Sequence, residues 1–265
     1  MHTSKLASIK VGFVLYRETA SLLERYQLAR DVGFRAVECA FPYVHTVDEV
    51  VAAQKKANVE QILINVFVGD VTKGELGFAA IPGAEQKFND SVNLAIKYAK
   101  ALKCSSIHVM SGAVEKVDEE NVKTYEKNIK HAASLFEKEN ILGLIEPINP
   151  YSVPNYYMNS FHKGLEVVKK VNSSNLKLML DIFHLQQLHG NLTHNIKELL
   201  PYVGHIQIAQ VPDRNEPNTS GEIDYRYVFS LLEKLGYDGW IGLEYKPAGN
   251  TEEGLKWVQE FNMRL

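Results

Sequence analysis

Short apolar runs alternate with amphipathic segments from one end of the chain to the other. The runs at 9–15, 36–41, 61–67, 106–110, 142–148, 176–183, 205–209 and 240–245 have strand length. Between and after them, the segments 20–32, 48–57, 86–102, 119–139, 161–171, 196–203, 227–235 and 254–261 carry apolar residues at helical spacing. In the first of these, Leu22, Leu23, Tyr26, Ala29 and Val32 form one stripe that Gly33 stops. Strands that alternate with helices argue for parallel pairing through right-handed crossovers. Eight such pairs in 265 residues predict an α/β fold, a single (β/α)8 TIM barrel spanning 1–265. A doubly wound open sheet is the rival. No Gly-x-Gly-x-x-Gly follows the first strand, which removes the commonest nucleotide-binding form of that fold. The glycine-containing loop at 69–78 is long enough to carry function.

Composition narrows the picture. With 45% hydrophobic residues the chain can bury a large core, and a net charge of -3 gives no electrostatic case for nucleic acid or an anionic membrane as partner. No apolar stretch approaches the roughly 20 residues of a membrane span, and residues 1–10 contain no apolar segment of signal-peptide length. The two cysteines, Cys39 and Cys104, make no disulfide framework. Cys39 sits in an apolar run as a buried thiol would, and both fit a reducing, cytoplasmic setting.

Four polar side chains stand at or near the ends of the last four strands. Glu146 ends Leu-Gly-Leu-Ile-Glu, Asp181 ends Leu-Met-Leu-Asp, Gln207 lies in His-Ile-Gln-Ile, and Glu244 ends Ile-Gly-Leu-Glu. Singly, each has an ordinary explanation: a solvated loop glutamate before Pro147, a helix cap, a satisfied buried amide, a member of an ion pair. Jointly, on consecutive parallel strands, they converge on the C-terminal mouth of a barrel, where catalytic residues gather. Three carboxylates there repel one another unless a cation holds them. Three carboxylates and an amide oxygen form a hard ligand set that favours Mg2+ or Mn2+ over zinc. His184, three residues after Asp181, would reach the same mouth and bind a substrate oxygen. Arg214, in the loop after the seventh strand, could grip a carboxylate in a fork, and Lys73 in the 69–78 loop is a second candidate. His108 lies on the fourth strand, facing in or out. For all of these the alternative is a surface or packing role.

These residues also carry a family resemblance. Ile145-Glu-Pro-Ile-Asn149, Asp181-Ile-Phe-His184, Gly204-His-Ile-Gln-Ile-Ala209, Pro212-Asp-Arg-Asn-Glu-Pro217 and Gly242-Leu-Glu-Tyr245 resemble the hydroxypyruvate isomerase family of xylose isomerase-like barrels. Phe41-Pro-Tyr, Ile64-Asn, Gly69-Asp, Lys73-Gly-Glu and Ile107-His-Val-Met extend the likeness over nearly the whole chain. The resemblance implies a TIM-type barrel with one divalent cation held by Glu146, Asp181, Gln207 and Glu244. It further implies that Glu146 and Glu244 serve as the acid–base pair. In related sugar epimerases the third ligand position is usually histidine, so Gln207 departs from the wider pattern and fits the narrower family.

The expected activity is interconversion of hydroxypyruvate and 2-hydroxy-3-oxopropanoate through an enediolate. A 2-oxo-tetronate isomerase or ketose epimerase with the same site is the alternative. The expected partner is a small hydroxy-oxo acid, with room for a homo-oligomer. A barrel endonuclease would need a histidine-rich zinc cluster and a basic face, which the acidic balance opposes. A binding protein that kept the site would bind metal without turnover.

Overall fold

The computed structural model describes residues 10–14, 20–261 and 263. Eight parallel strands close into a barrel in sequence order: β1 (Lys10–Val14), β2 (Ala36–Cys39), β3 (Glu60–Asn65), β4 (Ser106–His108), β5 (Leu142–Ile145), β6 (Leu176–Asp181), β7 (Val203–Ile208) and β8 (Trp240–Leu243), with β8 pairing back to β1. The expected TIM-type barrel is therefore what forms. The ends of the expected first strand, at 9 and 15, lie outside the described residues.

The helices form the outer ring: α1 (Leu22–Asp31), α2 (Val47–Ala57), α3 (Glu85–Leu102), α4 (Glu119–Lys138), α5 (Phe161–Val171), α6 (Ile182–Leu188), α7 (Leu192–Leu199), α8 (Tyr225–Lys234), α9 (Thr251–Gly254) and α10 (Trp257–Glu260). Capping boxes start α1 from Ser21 and α2 from Thr46, each with the glutamate three residues on returning a bond to the cap. None of the described helices is long and apolar enough to cross a membrane.

Some boundaries differ from the sequence expectation. The run 176–183 stops being strand at Asp181, because the Asp181 carboxylate accepts the N–H of Phe183 at 2.8 Å and starts α6 there. The helical segment expected at 196–203 is instead the end of α7, a 3-10 turn at Leu200–Tyr202, and the first residue of β7. The final helix, expected at 254–261, is split into α9 and α10.

Residues alternate across each strand, so one set faces the helices and the other fills the barrel. The outward set includes Val37, Ile64, Ile107, Ile145, Leu180, Ile206 and Leu243, all in the main core with helix residues such as Val92, Ile129, Phe136 and Phe229. Leu63, Leu144 and Met179 form a small apolar plug of their own inside the barrel. Two register shifts decide what stands above that plug. Val37 pairs with Gln61 but Glu38 with Leu63, so Ile62 has no partner on β2. Leu178 pairs with Val203 but Met179 with His205, so Gly204 is skipped. A Cβ on residue 204 would lie 2.7 Å from Leu142 Cδ2 and 2.9 Å from Leu144 Cδ2, so a side chain there would have to displace both leucines. The shifts place Glu38, His205 and Gln207 on the inner face, where a polar layer replaces the apolar plug.

Candidate metal centre and active site

The polar layer lines a cavity of about 30 Å³ bounded by Glu38, Asn65, His108, Glu146, Gln207 and Glu244, among others. That is room for an ion with a water or two. A larger hollow of about 480 Å³, beside Lys177, Gly204 and Gly239, opens at the opposite end of the strands and, among the described residues, holds no comparable cluster of carboxylates and histidines. Chemistry rather than size marks the site.

Glu146 follows β5 directly and is buried. Its Oε2 lies 3.6 Å from His108 Nδ1 and its Oε1 3.6 Å from His184 Nε2. Asp181 is fully buried. Its Oδ1 caps α6, while its Oδ2 stands 3.5 Å from His184 Nε2 and 3.4 Å from Arg214 Nη2. The capping role and the inward role coexist on one carboxylate, one oxygen each. Glu146, Asp181 and His184 place one ligand-type atom each within 4.8 Å of one another. Glu244 follows β8 and pairs its Oε2 with Arg214 Nη2 at 2.9 Å, an ionic approach rather than a well-aligned hydrogen bond.

Gln207 points inward. Its amide nitrogen donates to Glu38 Oε2 at 2.7 Å, and His205 Nε2 meets Glu38 Oε1 at 2.7 Å. Among the described residues, Gln207 Oε1, Glu146 Oε1 and both ring nitrogens of His108 are buried without a hydrogen-bond partner. Buried polar atoms are ordinarily satisfied, so this set is poised for something the protein chain does not itself supply.

Electrostatics agree. Burial, then repulsion from Glu244 and Asp181, raises Glu146 well above the usual carboxylate range. Burial also raises Asp181, against the pull of Arg214. Glu244 is pushed up to about 7 by burial, although its side chain keeps 21% of its surface, so solvent tempers the rise. Each rise is led by burial, and repulsion from neighbouring carboxylates adds to it. The residues fit a divalent cation: clustered anionic oxygens, an orphaned amide oxygen, and a cavity of ionic size.

His184 is set up differently. Its Nδ1 receives the backbone N–H of Asn149 at 3.3 Å and the Asn149 amide at 2.6 Å, while Asn149 Oδ1 accepts the N–H groups of Tyr151 and Ser152. A nitrogen that accepts cannot carry the proton, so the neutral ring holds it on Nε2, facing Asp181 and Glu146. Burial, then Arg214, keeps the ring well below its ordinary pKa, hence neutral. His184 is thereby a hydrogen-bond donor to the site. His108, inward and buried, is pushed down to about 3 by desolvation and is also neutral.

Arg214 sits in the loop after β7 in a left-handed backbone conformation, φ 60°. Its N–H donates to Gln210 O, its carbonyl accepts from Lys246, its Nε donates to Glu244 O at 3.3 Å, and its guanidinium lies 4.9 Å over the Phe183 ring. Such clamped, strained residues gather at functional sites. Lys73 is not brought to this cluster. It lies in a 3-10 turn with its side chain 77% exposed, 3.2 Å from Asp70. Glu38, His205 and Asn149 join the site without having been singled out in the sequence. Glu38 carried the same signal as Gln207, a lone polar residue inside an apolar strand.

A parallel eight-stranded barrel with its acidic cluster at the C-terminal ends of β5 to β8 defines a class, and the chain belongs to the xylose isomerase-like TIM barrel family, whose model matches residues 26–261. Its curated relatives place it among the isomerases. A putative hydroxypyruvate isomerase of Danio rerio is 45% identical over 93% of this chain and 92% of its own. The hydroxypyruvate isomerase of Escherichia coli is 39% identical over 90% of this chain and 93% of its own. The 2-oxo-tetronate isomerase of Haemophilus influenzae is 40% identical over 90% of this chain and 93% of its own. The crystal structure of a Brucella melitensis protein named AP endonuclease, family 2, superposes with a TM-score of 0.92 at 40% identity, covering 95% of this chain and 98% of that one.

Proposed function

We propose that the chain interconverts hydroxypyruvate and 2-hydroxy-3-oxopropanoate, with one Mg2+ or Mn2+ held by Glu146, Asp181, Gln207 and Glu244. The observation that carries the reading is the pair of buried, unpartnered oxygens, Glu146 Oε1 and Gln207 Oε1, among carboxylates raised by burial and then by mutual repulsion. The proton on His184 Nε2 keeps that ring out of the ligand set. An all-oxygen set favours Mg2+ or Mn2+. The cation, when bound, stabilises negative charge that develops on the substrate's oxygens.

The remaining work falls to the chain. Glu146 and Glu244 stand on strands three apart around the barrel and can address a substrate from two sides. One takes a proton from the hydroxymethyl carbon, and the same or the other returns it to the neighbouring carbon. Such positioned acid–base groups typically supply about 10²–10⁴-fold in rate. His184 Nε2–H and neutral His108 donate hydrogen bonds to substrate oxygens, and Arg214 holds the carboxylate of a three-carbon acid that offers little apolar surface. Lys73, far out on its loop, is the weaker candidate for that contact. Buried free thiols at Cys39 and Cys104, which burial pushes up to about 12, suit a reducing cytoplasm.

The Haemophilus influenzae relative's name keeps a four-carbon 2-oxo-tetronate as the second reading. The Brucella melitensis neighbour is named an endonuclease, but a net charge of -3 does not suit a DNA backbone.

The test is a panel of hydroxypyruvate, 2-oxo-tetronates and ketoses, followed by NMR in deuterated water with chelator-stripped and Mg2+- or Mn2+-loaded protein. Turnover of hydroxypyruvate only when loaded is expected. Glu146→Gln and Glu244→Gln, which keep a ligand oxygen but lose the base, should each lower kcat by about 10²–10⁴-fold. Wild-type exchange of the C3 protons in both variants would remove the carboxylate pair from the mechanism. No turnover of any substrate with either metal would reject the isomerase reading.

A further inference from the structure

Glu38 has no place in the ligand set, yet it is the most enclosed charge of the barrel interior outside that set, at 2% exposure. It reaches from β2 to β7 and accepts hydrogen bonds through both oxygens, 2.7 Å from His205 Nε2 and 2.7 Å from Gln207 Nε2. The strand it passes has been cleared for it: a Cβ on Gly242 would lie 2.2 Å from Glu38 Oε1 and 2.8 Å from its Cδ.

A primary amide is nearly symmetric in shape. Its hydrogen-bond partners, rather than its outline, distinguish the oxygen from the nitrogen. An ionised carboxylate can only accept, so it selects the amide nitrogen and leaves the oxygen outward. That oxygen is the one found buried and unpartnered. His205, two residues earlier on the same face of β7, occupies the other Glu38 oxygen and stops the carboxylate from turning.

We propose that Glu38 is a positioning residue whose carboxylate, held by His205, fixes the Gln207 amide with its oxygen toward the cation. The inference rests on the metal-site reading above and adds the element that makes an amide usable as a ligand there. A histidine ligand needs only a tautomer set behind it, whereas glutamine needs an acceptor that its nitrogen cannot refuse.

The experiment is Mn2+ titration of chelator-stripped protein by calorimetry, with the number of manganese-bound waters read by 17O spectroscopy. In Glu38→Gln, the His205 N–H claims the oxygen of the introduced amide, so its NH2 faces position 207. Gln207 then turns its oxygen to that donor and its nitrogen to the cation. Mn2+ affinity should fall by about 10–100-fold, the usual cost of losing a ligand's supporting contact, and bound manganese should gain one water. The double variant Glu38→Gln with Gln207→Glu restores a donor–acceptor pair in the reverse sense, and should recover the wild-type water count and most of the affinity. That variant also separates misorientation from misfolding. Wild-type affinity in Glu38→Gln overturns the proposal. So does a loss of affinity with an unchanged water count, which makes the role of Glu38 purely Coulombic, and so does a double variant that keeps the extra water. Failure of the wild-type protein to bind Mn2+ identifies the metal reading itself as the error.

Discussion

A histidine among carboxylates can be a metal ligand or a proton donor, and the difference lies in a residue that never touches the cavity. Asn149 supplies two N–H groups to His184 Nδ1 and ties its own oxygen to the turn that follows, so the ring presents N–H rather than a lone pair. Replacing that donor with an acceptor inverts the logic. In Asn149→Asp, a carboxylate beside Nδ1 draws the proton to that nitrogen, and Nε2 is left with its lone pair facing Asp181 and Glu146. The expected outcome is a change of tautomer in the imidazole 15N spectrum, a preference for Zn2+ over Mn2+ stronger than wild type, and a fall in kcat of about 10–100-fold. An unchanged tautomer with an unchanged kcat would show that Asn149 does not set the ring. None of this was legible in the chain: Asp181-Ile-Phe-His184 announces a histidine near a carboxylate, but the direction of its proton depends on a residue of the β5–α5 loop, 35 positions earlier.

Alternation carried most of the fold at the level of elements, because a strand with one face against helices and one face inside a barrel must repeat every two residues. The places where it failed are places where that period breaks. The β2–β3 shift at Ile62 and the β6–β7 shift at Gly204 each leave one residue without a partner, and they decide that Glu38, His205 and Gln207 look inward. A bulge leaves no apolar signature, so Glu38 passed as one more residue of a strand. The β6–α6 boundary failed for a different reason. Ile182 and Phe183 are as apolar as a strand, yet the Asp181 cap turns them into the first turn of a helix. Local hydrogen bonding there outweighs hydrophobicity. Gly242 tests the inner face at the same scale. In Gly242→Ala, the new methyl meets the Glu38 carboxylate and must displace it, since the neighbouring strands are fixed by pairing on both sides. Chemical denaturation should show a loss of about 1–3 kcal/mol, the ordinary cost of overfilling a packed interior. Mn2+ affinity should fall with it. A variant as stable as wild type, with its metal affinity intact, would mean that the close approach of Glu38 to β8 is not needed.

The whole molecule concentrates negative charge at one end of its barrel, and that has a cost that depends on pH. Glu146, Asp181 and Glu244 all have folded pKa values raised above their ordinary values, Glu244 to about 7 and Glu146 well above the usual carboxylate range. With raised values, the folded state holds these protons more tightly than the unfolded chain does. The stability they confer is complete below the unfolded value of about 4.5, and it is lost as pH rises through the folded values. Two buried histidines act the other way. His108 and His184 have lowered values, so stability falls as pH drops below about 6.5, where the unfolded chain takes up protons that the fold refuses. The carboxylate contribution is therefore clearest between about pH 7 and 8, above most of the unfolded histidines' titration and below the range where Lys163, lowered to about 8, and the raised thiols of Cys39 and Cys104 add their own contributions. In that window the chelator-stripped protein should lose melting temperature with rising pH, by roughly 2–4 °C for each kcal/mol lost. A bound cation favours the ionised carboxylates and reverses the sign of their contribution, so Mn2+-loaded protein should hold or gain stability over the same range. The gap between the two melting curves should widen as pH rises. Glu244→Gln removes one titrating group and should flatten the chelator-stripped curve around pH 7. If the stripped and loaded proteins keep a constant gap from about pH 7 to 8, the carboxylates are already satisfied by Arg214 alone, and the crowding that argues for a cation is absent.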